Sequence, residues 1–183
     1  MTVGPTYALL TRASTSELAS ALPVPARVGT LDGWSVAGID PDLVTDRWPD
    51  ETPDRTSARL GSPVVAVFEN AQIAGLAASA EGDSEPRMFS EGWLPPRGLM
   101  GRLWVRGWRS SANDFARRAG LPDRGAALGE VRQPAPDGSS LPISTLFVSA
   151  VDALGLPASV RGTSLFSADH LDDVIDVDPG RHS

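Results

Sequence analysis

The sequence predicts an α+β fold: one compact domain with a mixed, mostly antiparallel sheet and two or three helices. Three observations predict it. Residues 64–68 (VVAVF) form a short, apolar, β-branched run, the pattern of a buried strand. Residues 143–154 (ISTLFVSAVDAL) place Ile143, Leu146, Phe147, Ala150, Val151 and Leu154 on the i, i+3, i+4, i+7, i+8 pattern of one buried helical stripe. The chain also opens as strand, helix, strand.

In that opening, residues 7–12 (YALLTR) read as a strand. Ser14 and Glu17 form a capping box for a helix over 15–21, which Pro23 and Pro25 close. Asp32-Gly33 turns into a second strand at 34–39 (WSVAGI). Residues 40–62 are polar and rich in proline and acids. They read as a long surface loop with one helical turn at 42–47 and Trp48 as an anchor.

After the run at 64–68, Glu69-Asn70 form a turn into 72–80, a hairpin partner whose alanines also favour helix. Residues 81–86 read as a loop and 88–97 as irregular. Residues 101–109 alternate as a strand, with Arg102, Trp104, Arg106 and Trp108 on one face and Leu103, Val105, Gly107 and Arg109 on the other. A helix capped by Ser110 and Ser111 then runs to Ala119 and stops at Gly120, with Arg117 near its C-terminal end. Residues 125–132 read as a strand and 133–142 as a loop. Residues 164–166 are extended, Ser167 caps a turn through His170, and 174–177 form a last strand before a loose tail at 179–183. LLTRASTSELASALP and WVRGWRSSANDFARRAGLP share an order of features, which would give two tandem strand–helix–strand modules.

Composition narrows the chemistry. The 183 residues suit a single domain over 1–183. No cysteine is present, which excludes disulfides, thiolate metal sites and a cysteine nucleophile. All 16 basic residues are arginine, which removes Schiff-base chemistry and a phosphate-loop lysine. The abundant Ala, Gly, Pro, Arg and Asp point to a GC-rich bacterial genome as the cause, in preference to escape from lysine-directed tagging. The first residues, MTVGPTYALLTRAS, lack the basic start and apolar run of a signal peptide, and no long apolar run follows. The expected location is therefore cytoplasmic, with no membrane contact.

Charge is unevenly spread. Residues 1–86 carry 5 arginines against 12 acids, 87–132 carry 9 against 4, and 133–183 carry 2 against 7. A formal net charge of −7 argues against general nucleic-acid binding, including single-strand binding by Trp stacking, while leaving one basic face.

Catalytic signals are few. His170 stands beside Asp169, Asp172, Asp173, Asp176 and Asp178, but the spacing is not that of a calcium loop and reads as a solvated acidic face. Glu69 and Asn70 follow the most buried strand, where site residues often sit, yet read as a turn. No metal ligand set, cofactor motif or catalytic residue is assigned. The expectation is a soluble, non-enzymatic binding protein, accessory or immunity-like. Arg102, Trp104, Arg106, Trp108, Arg109 and Arg117 would meet a partner protein with an acidic surface. The competing functional reading is an enzyme or sensor in which these arginines clamp a small anion, such as a nucleotide or phosphate ester. The competing structural reading is a packed sheet face.

Overall fold

The computed structural model describes residues 6–40, 50–70, 73–90, 92–132, 140–160 and 171–179. Seven strands form one sheet: β1 Thr6–Thr11, β2 Ala26–Leu31, β3 Trp34–Ile39, β4 Val64–Glu69, β5 Ile73–Ala80, β6 Asp83–Ser90 and β7 Asp172–Val177. Their order is β6-β5-β4-β1-β3-β2-β7, and every pairing is antiparallel. Among the described residues five helices accompany them: α1 Thr15–Ala21, α2 Thr52–Leu60, α3 Gly98–Arg118, α4 Gly125–Glu130 and α5 Ile143–Leu154. The fold is thus α+β in one compact domain, with more helices than the sequence suggests.

Helices cover both sheet faces, which explains why the central strands are apolar without alternation. On one face Ala8, Leu10, Val36, Val65, Val67, Leu76 and Phe89 pack under Phe115, Leu128, Leu146, Phe147 and Leu154 from α3, α4 and α5. On the other, Tyr7, Leu9, Ala37, Ile39, Ala66 and Phe68 meet Leu18 of α1 and Leu22 just beyond it. The Ser14 capping box forms as expected, with Ser14 Oγ accepting from the Glu17 amide and Glu17 Oε2 accepting from the Ser14 amide.

Two of the hairpins turn on two residues with positive φ: Asp32-Gly33 (49° and 77°) between β2 and β3, and Glu81-Gly82 (55° and 84°) between β5 and β6. Both are the mirror-image turns that match strand twist. The second corrects the reading of 81–86 as a loop, because β6 begins there. Asn70 does turn the chain: its amide donates to the Ile73 carbonyl and its Oδ1 accepts from the Ile73 amide, each at 2.9 Å.

Three further expectations are corrected. The polar stretch at 40–62 contains α2, whose buried side is polar. There Ser79 Oγ donates to Asp54 Oδ1 at 2.6 Å and lies 2.9 Å from Ser57 Oγ. Residues 125–132 are helical over α4, not extended. Most consequentially, 101–109 is not a strand but lies within α3, a continuous helix of 21 residues, about 30 Å long. Ser110 and Ser111 sit in mid-helix rather than at a cap, and the second strand–helix–strand module does not form. The stop at Gly120 (φ 73°) holds. The turn at 42–47, Trp48, the loop at 133–139, residues 164–166, Ser167, Asp169, His170 and the end of the tail lie outside the described residues.

Candidate functional site

Helix α3 runs antiparallel along β6, and its contacts record the alignment. Arg118 pairs with Asp83 at the start of the strand, Arg87 reaches Ser111 and Trp108 midway, and Trp104 stands by the strand's end. Only Ala112, Phe115 and Ala116 of α3 are fully buried, all in its C-terminal half. The first three turns therefore stand clear of the core on one side.

A helix advances about 100° per residue, so the arginines and tryptophans separate. Arg102, Arg106 and Arg109 fall within one narrow arc, which is exposed at Arg102 and Arg106 and meets α4 at Arg109. Trp104 and Trp108 fall on roughly the opposite side. The single basic-aromatic face expected of a strand is thereby replaced by two sites.

The aromatic site is built as a column. Trp93, from the segment before α3, lies 5.1 Å from Trp104 between ring centroids. Trp104 stacks on Trp108 at 5.2 Å with planes 23° apart. Phe89 meets Trp108 edge-on at 6.1 Å. The Trp108 Nε1–H donates to the Val131 carbonyl at 3.0 Å, which fixes the ring. Beneath it lies Arg87, only 3% exposed, with its guanidinium carbon 3.8 Å from the Trp108 ring centroid. Arg87 Nη1 donates to Ser111 Oγ and Nη2 to the Trp108 carbonyl, while the buried Nε has no partner among the described residues. No carboxylate among the described residues pairs with it. Burial pushes the guanidinium down to about 10, with Glu85 acting the other way. Met88, Phe89, Ser90, Trp93, Trp104, Trp108 and Leu146 line a pocket of about 270 Å³ here, open on one side.

The outer site is apolar and basic. Leu99, Met100 and Leu103 are 71%, 62% and 53% exposed. Residues 92–113 hold four arginines and no acid. Among the described residues neither Arg102 nor Arg106 forms an ion pair, whereas Arg109 bonds Glu130 at 2.8 Å and Arg117 pairs with Asp114. The expected binding arginines thus form a row along a helix, two of them already engaged, rather than a converging clamp.

Sequence reasoning missed Arg87, Phe89, Trp93, Leu99, Met100, Leu103 and Leu146 as site residues. The available signal was an acid-free run of 22 residues with leucines at 99 and 103, one helical turn apart. Of the acidic cluster near the C-terminus, Asp172, Asp173 and Asp176 lie on the edge strand β7, and Arg27 Nε donates to Asp176 at 3.2 Å. No group of side chains that could hold a metal occurs among the described residues. Nor is any helix among them long and apolar enough to cross a membrane. Comparison of the chain with protein-family models, curated proteins and solved structures gave no match.

Proposed function

We propose that this protein is a non-enzymatic binding module that docks an acidic partner protein on the outer side of α3. The exposure of Leu99, Met100 and Leu103 beside Arg102 and Arg106, which form no ion pair among the described residues, carries the reading. Large apolar side chains clustered on an exposed helix face and rimmed by one sign of charge suit an interface. Apolar anchors supply the affinity, and the arginine row steers an acidic surface and sets its orientation. The basic face itself disfavours pairing with its own copy in a second molecule, because the arginines would oppose one another.

This is the mode of an accessory or immunity-like protein, which acts by occupying a partner's surface. We place the docking in the cytoplasm as part of the same proposal; a cysteine-free chain needs no oxidising compartment.

The test is capture from a lysate of the source cells by three tagged baits: wild type, Arg102→Glu with Arg106→Glu, and Leu99→Glu with Leu103→Glu. A partner with an acidic surface, held by wild type, weakened by salt and lost from both variants at unchanged melting temperature, supports the reading. The same proteins on all three baits would overturn it.

A further inference from the structure

We infer that the pocket between α3, α5 and the end of β6 is a ligand site for a planar aromatic compound of one or two fused rings, neutral or anionic. The inference does not rest on the docking surface, since Trp104 and Trp108 lie on the side of α3 opposite Arg102 and Arg106.

Shape comes first. Three indoles, Phe89, Met88 and Leu146 supply the walls, and Ser90 supplies a polar group at the rim. Such apolar linings with few polar groups are the usual make-up of small-molecule sites. An apolar cavity of about 150 Å³ accepts one benzene ring. The 270 Å³ found here leaves room for a second fused ring. Trp93 and Trp104 are tilted 51° to each other, so their ring faces diverge rather than close on one another. An incoming ring can therefore meet an indole offset-stacked or edge-on, the two favoured arrangements.

Charge comes second. Arg87 already occupies the electron-rich face of Trp108 and carries a positive charge that no carboxylate among the described residues pairs with. Arg97 stands in the segment that leads from Trp93 into α3, and the whole stretch 92–113 lacks acids. A cationic ligand would meet like charge and an indole whose quadrupole is already engaged. An anionic ring meets the opposite field.

Rigidity comes third. The Trp108 indole is held by Val131, and Arg87 is held by Ser111 and Trp108, so the floor is fixed before a ligand arrives. Preorganised walls reduce the ordering cost of binding.

The test is titration of the folded, full-length protein with 2-naphthoate, followed by the indole N–H signals in nitrogen-15 NMR spectra. A naphthyl-trimethylammonium salt serves as the cationic control. Saturable shifts of Trp93, Trp104 and Trp108 with naphthoate are expected, with Trp34 unmoved and the cation binding at least about tenfold more weakly. Trp104→Ala should weaken naphthoate by about tenfold with the Trp34 signal in place. Absence of shifts, or shifts spread equally to Trp34, would overturn the site. Equal binding of cation and anion would overturn the ligand class. A docking-surface variant that leaves the charge unchanged, Leu99→Gln with Leu103→Gln, should leave naphthoate binding intact, so failure of this site and failure of the docking proposal are separately visible.

Discussion

Arg87 and Trp108 hold each other in two ways at once. The guanidinium lies 3.8 Å from the centroid of the Trp108 ring, and its Nη2 donates to the Trp108 carbonyl at 2.9 Å. A side chain on the edge strand thereby grips both the ring and the backbone of α3. The arrangement is expensive, because a buried cation without a carboxylate retains much of its desolvation cost.

That cost makes a contrast between two substitutions. Arg87→Met keeps the stem that fills the space over Trp108 and removes the charge. Ser111 Oγ still donates to the Trp108 carbonyl at 3.1 Å, so that carbonyl keeps a partner. Stability should be unchanged or higher. Arg87→Ala removes the stem as well and should be about 2–3 kcal/mol less stable than the Met variant. Burial lowers the arginine's proton affinity, so the charge penalises folding at every pH below about 10, and near-neutral denaturation suffices. Equal losses in both variants would show that the charge itself, not the stem, secures α3.

Tyr7 offers a second probe, because it is the only tyrosine. Its buried hydroxyl donates to Asp50 Oδ1 at 2.6 Å. Burial, and then the Asp50 charge, raise its pKa above the ordinary phenol value. The native state therefore keeps a proton that the unfolded chain loses above about pH 10. The stability from this group is fully present below that pH and falls as pH rises past it. Phenolate absorbance should appear only together with unfolding; its appearance in protein that keeps native circular dichroism would refute the buried bond. Tyr7→Phe should cost about 1.5–3 kcal/mol at neutral pH, as for a bond to a charged acceptor.

Substitutions on the outer side of α3 should behave oppositely. Leu99→Gln, Met100→Gln and Leu103→Gln each replace an exposed apolar side chain by a good helix former. Each should change stability by no more than about 0.5 kcal/mol and raise solubility. Phe115→Ala, in the buried half of the same helix, should cost about 3–5 kcal/mol. Denaturant titration of the set checks both. A large loss at Leu103 would mean that this face packs on the protein's own body and is not available to a partner.

These positions also show why α3 escaped the sequence reading. A two-residue alternation repeats at every fourth residue, so Trp104 with Trp108 and Arg102 with Arg106 satisfy strand and helix spacing together. Length and composition favour the helix, since Leu, Met and Arg are good helix formers and Val105 is the one β-branched residue from 98 to 118. The central strands and α5 were legible because burial of Val65, Val67, Phe147 and Leu154 writes an apolar pattern into the chain. β6 was not, because an open edge strand tolerates Pro86 and polar residues. α2 was not, because its buried side is Thr52, Pro53, Thr56 and Ser57, whose hydroxyls are satisfied by hydrogen bonds that no hydropathy pattern reveals. Of the site, the tryptophans and arginines drew notice by type, while their partition between two sides of α3 followed from the helix alone.

The close approach of α3 and α4 gives the last prediction. A Cβ added at Gly125 would stand 2.3 Å from Asn113 Oδ1 and 2.8 Å from Asn113 Cα. One at Gly129 would meet Arg109 Cγ at 3.3 Å and Arg109 Cα at 3.4 Å, a tight contact that a shift of a few tenths of an ångström in the flexible Arg109 side chain relieves. Alanine gains about 1 kcal/mol over glycine within a helix, so propensity alone favours both substitutions. Sterics separate them. Gly129→Ala should be neutral or slightly stabilising. Gly125→Ala must push α4 away from the backbone of α3 and should lose about 1–3 kcal/mol. Val131, which follows α4, would move with it and loosen its bond to the Trp108 indole. Gly125→Ala should therefore also weaken the near-ultraviolet circular dichroism of the tryptophan column and the binding of naphthoate, while Gly129→Ala leaves both unchanged. If both alanine variants behave alike, helix spacing is not what sets the floor of the pocket.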